Sequence, residues 1–266
     1  MSTAKLLALL SHNFWLAWSY KLNFFTRYLA AVVAVLLYYF LDQLLQLSGQ
    51  TAFDEGTYFT FVLIGGAFLR YLELGSHAFS ANLRDEMLMG TIEPLLVTAT
   101  PITLSVLGPS SWMLIQGTLI VIGQLLLGVL VGADFSQANW GSALVVLLIS
   151  LTSFVSYGII SAAFTIVFKR SDPMNWFINS IAYVFSGVFF PIELFPPWLR
   201  IISYLLPFTY ALRALRGALM GGASLAELAL DIAVLLGFAV VLLPLSFWAL
   251  RFAIRRMKET GELVHY

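Results

Sequence analysis

The chain has 266 residues, of which 60% are hydrophobic and 11% are charged, and its mean hydropathy is +0.90. An ordinary soluble domain is about 45–50% apolar and about 25% charged. A soluble fold of this length has too little interior for so much apolar surface, so a soluble enzyme, a nucleic-acid-binding protein and a disordered chain are excluded. Lys plus Arg and Asp plus Glu number 14 each, and Cys is absent. We therefore predict an integral membrane protein without disulfides or thiolate metal sites.

Residues 1–25 carry apolar side chains at helical spacing. Leu7, Leu10, Phe14 and Trp18 follow intervals of three or four residues, whereas Lys5 falls on another side. This pattern predicts an amphipathic helix that lies in the cytoplasmic membrane interface. The alternative is an N-terminal extension of the first span. No small-residue cleavage pattern precedes that span, so we expect no cleavable signal peptide.

Uncharged apolar runs indicate the membrane spans, because a helix needs roughly 20 apolar residues to cross about 30 Å of hydrocarbon. Four runs are long enough. Of two weaker candidates before them, one is short and the other contains Arg70 and Glu73. We predict an all-α integral membrane protein with about six transmembrane helices, at 28–41, 58–81, 104–131, 141–168, 173–191 and 229–251.

The distribution of basic residues predicts the orientation. With both termini in the cytoplasm, ten of the 14 Lys and Arg residues are cytoplasmic, and Arg70 lies within a span. Arg200, Arg213 and Arg216 then lie outside. The positive-inside rule favours this arrangement over its inverse.

The cytoplasmic loop after the second span mixes charged and apolar residues over 84–101. Pro94 suits the first turn of a helix, where no amide bond is lost. We predict a short helix that begins near Glu93 and lies along the membrane, and an ordinary solvated loop is the alternative.

The segment from Ser186 to Arg216 is apolar but interrupted by four prolines, at positions 191, 196, 197 and 207. Broken backbone at membrane depth is tolerated only where protein or a watery cavity covers it. We predict a re-entrant helical hairpin in the outer leaflet over 191–222, before the last span. A plain extracellular loop is the alternative, although residues 201–206 are too apolar to favour it.

Motifs of catalysis are missing from the sequence. No Lys follows a Gly, so there is no phosphate-binding loop of the G-x-x-x-x-G-K-[ST] type. His12, His77 and His265 are too far apart to indicate a metal site, and there is no nucleophile elbow with its closing glycine. We predict no catalytic residues, no metal site and no enzyme activity in this chain.

Two stretches resemble the membrane subunit, or permease, of a type-2 ATP-binding-cassette exporter. That family has a Glu, a Gly-Thr-Leu-Glu, a Leu-Leu and a Thr-Pro after its second span, and a Ser-Gly-x-Phe-Phe-Pro and a Tyr-x-x-Pro-x-Thr-Tyr before a late Arg. The matching residues are Glu86, Gly90–Glu93, Leu95–Leu96, Thr100–Pro101, Ser186–Pro191, Pro197–Trp198, Tyr204–Tyr210 and Arg216. The departures are Ile92 in place of Leu, Pro94 after the Glu, and Ala99–Thr100 before the Pro.

The resemblance implies that substrate transport and ATP hydrolysis take place in different subunits. It implies one permease domain over 1–266 that pairs with a second permease copy and with two cytoplasmic ATPase subunits. ATP and Mg²⁺ would bind to the ATPases, and this chain would bind no cofactor. The 84–98 segment would be the coupling helix that docks on an ATPase, through Glu86, Gly90, Thr91, Glu93, Leu95 and Leu96. The implied location is a prokaryotic plasma membrane, and the implied cargo is an amphipathic or hydrophobic drug, lipid or lipid-linked glycan.

Large aromatic residues and prolines of the outer segment are candidates for the substrate path. We predict an outer gate at Phe189, Phe190 and Tyr204, next to the prolines Pro191 and Pro207 that interrupt the helices. Hydrophobic constrictions close channels by excluding water, and bulky rings suit that role. Packing of a re-entrant hairpin is the alternative for the same residues.

Arg70 and Glu73 stand three residues apart within a predicted span. A charge near mid-membrane costs at least about 2.5–3.5 kcal/mol on insertion scales, so such residues are paired or face water. We predict an intramembrane charge pair, with direct substrate contact as the alternative. These two residues also support a competing function, a self-sufficient secondary transporter or channel. An intramembrane enzyme would need a nucleophile–base pair that the sequence lacks.

Overall fold

A computed structural model describes residues 21–49, 57–88, 102–168 and 172–260. Within these ranges every regular element is helical and there is no strand. The helices are α1 (Lys21–Ser48), α2 (Thr57–Leu88), α3 (Ile102–Val131), α4 (Trp140–Phe168), α5 (Asp172–Phe185), α6 (Pro197–Tyr204), α7 (Pro207–Met220) and α8 (Ala229–Thr260), with a 3₁₀ turn at Ile192–Leu194.

Five of these helices, α1, α2, α3, α4 and α8, are long and apolar enough to cross a membrane. The prediction of an all-α membrane protein is confirmed. The predicted span 173–191 is shorter than expected, because α5 has 14 residues and ends at Phe185. At a rise of about 1.5 Å per residue it extends about 21 Å, which is less than the about 30 Å of hydrocarbon that a spanning helix crosses.

Helix α2 forms the centre of the bundle. Of its apolar window 78% is buried, against 17% for the windows of α1 and α8. It packs against α1, α3, α4, α5 and α7. The large apolar side chains that remain exposed lie on the surrounding helices, for example Leu126, Leu148 and Val240. This outward display of apolar side chains is what a lipid environment requires.

Glycine and proline residues explain why the helix ends after α5 and why only short helices follow it. Gly187 has a φ of +76°, a value that side-chain-bearing residues rarely adopt. Pro191 then precedes the 3₁₀ turn, and Pro197 and Pro207 occupy the first turns of α6 and α7. Proline suits these positions, because the first amides of a helix have no intrahelical partner. The short helices fall within the predicted 191–222 segment.

The 132–139 loop lies against the start of α2 and the end of α7 at one end of the bundle, here called the predicted outer end. The Asn139 amide nitrogen donates to the Ala218 carbonyl at 2.9 Å, and its side chain donates to the Ala223 carbonyl at 3.3 Å. The Asp134 amide nitrogen donates to the Thr60 hydroxyl at 3.3 Å. The 132–139 loop therefore joins the start of α2 to the end of α7.

Hydrogen bonds also fix the acidic groups of these loops. Donation from the Ser136 amide and side chain lowers the pKa of Asp134, and donation from Ser224 in the same way lowers the pKa of Glu227. Both carboxylates are therefore ionised at neutral pH and contribute negative charge to the predicted outer end.

Two predicted segments lie largely outside the described residues. Of the predicted interfacial helix 1–25, only 21–25 is described, and these residues belong to α1. Of the predicted coupling segment 84–98, only 84–88 is described, and it forms the last turn of α2.

Candidate functional site

Arg216 of α7 connects the non-helical segment after α5 to the central helix α2. Its Nη1 and Nη2 atoms donate to the carbonyls of Gly187 and Val188, each at 2.7 Å. Its Nε and Nη2 atoms donate to the Phe61 carbonyl in α2, at 3.2 and 2.9 Å. The guanidinium also lies over the Phe61 ring, 3.3 Å from its centroid. One permanently charged group therefore fixes three elements, since arginine stays protonated in proteins.

Gly65 makes this close approach possible. A Cβ atom at this position would lie 2.7 Å from the Val188 carbonyl oxygen and 2.8 Å from Nη2 of Arg216. Both distances are shorter than a normal van der Waals contact. The absence of a side chain at Gly65 therefore lets the non-helical segment after α5 pack directly on α2.

The Tyr-x-x-Pro-x-Thr-Tyr motif forms the corner between α6 and α7. The Thr209 hydroxyl donates to the Ser203 carbonyl at 2.6 Å, and the Tyr210 hydroxyl donates to the Tyr204 carbonyl at 2.9 Å. These bonds satisfy carbonyls at the end of α6, where helices leave such groups without a partner. Farther along α7, Arg213 forms a bidentate salt bridge with Asp231 of α8.

Phe189 lies in an aromatic cluster between α1 and α5. Its ring centroid is 4.9 Å from that of Tyr183 and 6.3 Å from that of Tyr38. The other predicted gate residues are elsewhere. Phe190 is 58% exposed, and the Tyr204 ring lies beside Tyr210. Of the three predicted gate residues, the structure therefore brings Phe189 together with two tyrosines that the sequence did not single out.

A cavity of about 480 Å³ lies between α2 and α5. Helix α2 contributes Glu73 and His77 to its wall. Helix α5 contributes Trp176, Asn179, Ser180, Tyr183 and Val184. Tyr183 lines the cavity and also touches the Phe189 ring, so the aromatic cluster adjoins the cavity.

Buried amides hold α5 at a fixed distance from α2 and α4 beside this cavity. Asn175, fully buried, donates from Nδ2 to the Ser80 hydroxyl at 2.8 Å and to the His77 ring at 3.3 Å. The Ser161 hydroxyl of α4 donates to its Oδ1 atom at 2.6 Å. Such saturated polar networks in a membrane interior link helices specifically.

A second cleft, of about 390 Å³, lies between α3 and α4 with α2 at its floor. Its wall is almost wholly apolar, including Phe68, Ile122 and Leu144. The polar groups near its floor, the hydroxyls of Tyr71 and Thr118, are bonded to each other at 2.8 Å. The cleft therefore has the size and apolar lining to hold a hydrocarbon chain. The described residues of its wall provide no free polar group that would recognise a polar ligand.

The predicted intramembrane residues Arg70 and Glu73 are both half-buried on α2. Within the described part of the chain, no salt bridge or hydrogen bond joins their side chains. Glu73 faces the α2–α5 cavity. Their role as a charge pair stays a prediction.

The coupling residues remain the least described part of the site. Glu86 lies in the last turn of α2. The other five, Gly90, Thr91, Glu93, Leu95 and Leu96, lie outside the described residues. Their role as an ATPase contact is a prediction that the structure does not test.

Together, five apolar spanning helices and a broken, arginine-fixed segment between α5 and α8 define a multi-pass helical membrane protein of the transport type. Residues 92–248, more than half of the chain, match the family model described as ABC-2 family transporter protein. The chain therefore belongs to the ABC-2 transporter family, as a membrane subunit of an ATP-binding-cassette transporter, which implies partner ATPase subunits. No curated protein shows a significant sequence match to it.

Proposed function

We propose that this chain is the permease subunit of an exporter that moves an amphipathic or hydrophobic substrate out of the cell, with ATP hydrolysis in separate subunits. The observation that carries this proposal is the α2–α5 cavity, whose wall residue Tyr183 belongs to an aromatic cluster with Phe189 and Tyr38. We infer that this cluster closes the cavity outward, which is the loading state that an exporter needs.

Release requires the aromatic cluster to part. Phe189 belongs to the non-helical segment after Gly187, so it can move without breaking helical hydrogen bonds. Arg216 fixes the preceding carbonyls of Gly187 and Val188 to α2 and α7. A shift of α2 or α7 would therefore be transmitted to the residue that closes the cavity, which biases a two-state gate.

The driving motion would come from partner ATPases that bind ATP and Mg²⁺. The cytoplasmic 84–98 segment is continuous with α2 through residues 84–88. Since α2 also carries Glu73 and the Arg216 contact, a push on this segment acts on the helix that lines the cavity. The family membership supports this partnership.

A second permease copy would complete the transport unit. Trp198, Ile201 and Leu205 of the α6 region are 67%, 62% and 68% exposed. This apolar surface at the predicted outer end supports a homodimer or a pairing with a similar chain, within a prokaryotic plasma membrane with both termini cytoplasmic.

The gate is tested by replacing Phe189 with Ala in proteoliposomes that contain the chain and its ATPase subunits. The matched control is Phe190→Ala, because Phe190 is its neighbour but is exposed. We expect Phe189→Ala to let a fluorescent lipid analogue equilibrate without ATP, while the control retains ATP-dependent movement. Equal ATP dependence in both variants, with normal assembly, would remove Phe189 from the substrate path.

The competing function is a secondary transporter that uses Arg70 and Glu73 without an ATPase. It predicts transport by the lone chain in response to an ion gradient. The same proteoliposomes prepared without ATPase subunits distinguish the two functions, because the exporter is then inactive.

A further inference from the structure

The α2–α5 cavity has an unusual wall for a membrane protein. Glu73 belongs to α2, four residues before the end of the apolar span Thr57–His77 of that helix. Its carboxylate has no hydrogen bond or ion pair within the described part of the chain. An ionised carboxylate within an apolar span is expensive unless it faces water or a positive charge. The cavity provides the space for either.

Aromatic rings stand opposite this carboxylate. Trp176, Ser180 and Tyr183 follow intervals of four and three residues on α5, so they share one face of the helix, and all three line the cavity. Trp176 is 70% exposed and Tyr183 is 49% exposed. The faces of such rings attract organic cations, most strongly when water is excluded.

Part of the cavity wall is exposed on the outside of the chain. Val184 lines its wall and is 54% exposed, and its neighbour Phe177 on α5 is 55% exposed. A ligand can therefore place a charged group beside Glu73 while its apolar part extends along α5 into the bilayer. Glu73 and the rings determine which charge is accepted.

Two basic residues flank Glu73 on α2. Arg70 is one helical turn from Glu73 toward the predicted outer end and does not line the cavity. His77 lines the cavity one turn in the other direction, and its Nδ1 atom is hydrogen-bonded to the Asn175 side chain.

We propose that the α2–α5 cavity binds the cationic group of a lipophilic cation, with Glu73 as counterion and the rings of Trp176 and Tyr183 around the charge. This inference rests on the proposed export function, for which it names the substrate class. Anionic amphipaths of the same size are excluded by the carboxylate.

The test compares two probes of matched shape and opposite charge, tetraphenylphosphonium and tetraphenylborate. Binding of each is measured by equilibrium dialysis against the purified full chain in nanodiscs of zwitterionic lipid, with empty nanodiscs as the background. We expect saturable binding of tetraphenylphosphonium and none of tetraphenylborate. Glu73→Gln should weaken cation binding at least tenfold, whereas Glu193→Gln, a change to an exposed carboxylate of the 3₁₀ turn, should leave it unchanged.

A second pair of variants keeps the test decisive if Glu73→Gln does not fold. Trp176→Leu should weaken cation binding severalfold, while Trp198→Leu, at an exposed tryptophan of α6, should not. Equal binding of both probes, or cation binding that survives either cavity variant in folded protein, would overturn the proposal.

Failure of this inference is distinguishable from failure of the proposed function. Binding is measured without ATPase subunits, and ATP-driven transport of the fluorescent lipid analogue is measured separately. ATP-driven transport without cation selectivity overturns only the substrate class. Selective cation binding without ATP-driven transport supports the site and counts against the exporter.

Discussion

Gly65 of the central helix lies directly against the guanidinium of Arg216 in α7. A Cβ atom on Gly65 would lie 2.8 Å from Nη2 of Arg216, which is occupied by bonds to the carbonyls of Phe61 and Val188. A side chain at position 65 would therefore displace the Arg216 guanidinium or the Val188 carbonyl. Because Val188 precedes Phe189, this contact determines where the aromatic cluster lies.

Gly65→Ala should therefore destabilise the chain, although Ala is the better helix former. Overpacking a tight contact costs about 1–3 kcal/mol. The control is Gly237→Ala in α8, where nothing lies within 4 Å of the new Cβ atom, and which should be neutral or slightly stabilising. Thermal unfolding in detergent measures both. A Gly65→Ala protein as stable as the control would contradict the contact.

Arg216→Lys should lower the unfolding temperature and impair outward closure. Lysine keeps the charge but lacks the planar fork that bonds three carbonyls at once, and a hydrogen bond to a charged group contributes about 1.5–3 kcal/mol. The control is Arg200→Lys, because Arg200 bonds the carbonyls of Glu193 and Phe195 from a more exposed position. A similar decrease in unfolding temperature in both variants would show that Arg216 does not specifically hold the non-helical segment after α5 in place.

The absence of Cys allows a clean test of the second copy. We expect Ile201→Cys on α6 to form a disulfide-linked dimer under mild oxidation in native membranes. The control Val240→Cys is at a position 72% exposed on α8, which we assign to lipid. Crosslinking is read on non-reducing gels. Equal yields at both positions would indicate random collision rather than a dimer interface.

Much of the fold was predictable because membrane spans are long and their composition is extreme. Three of the four long apolar runs and both weaker candidates matched long helices, and the proline-rich segment matched the broken region between α5 and α8. The short α5 was not predicted. Residues 173–191 carry no charged side chain, and a hydropathy profile does not detect the backbone turn at Gly187.

The candidate site was predictable only in part, because it depends on contacts between distant segments. Phe189 was chosen for its bulk, yet Tyr38 and Tyr183 complete its cluster from two other helices. Asn175 was also missed, although an amide in an apolar span is a usable signal. Arg216 matched a family motif, but its bonds to Phe61 and Gly187 follow from the fold alone.

The coupling segment has its own prediction. A docked helix needs apolar anchors in the groove of its partner, and Leu95 and Leu96 supply them. Replacing both with Ala should weaken ATPase association and uncouple hydrolysis from transport, since a buried interface anchor contributes about 2 kcal/mol or more. Glu93→Lys should act more mildly and depend on salt. Unchanged ATPase association in the double variant, with normal membrane insertion, would remove this segment from the mechanism.

The claim that this chain is driven by separate ATPase subunits is tested most directly by purifying it, tagged, from its native membrane and reconstituting what co-purifies. We predict that an ATPase subunit is recovered in equal amount with the chain and that transport requires hydrolysable ATP. Transport by the lone chain, driven by an ion gradient and indifferent to ATP, would contradict the account.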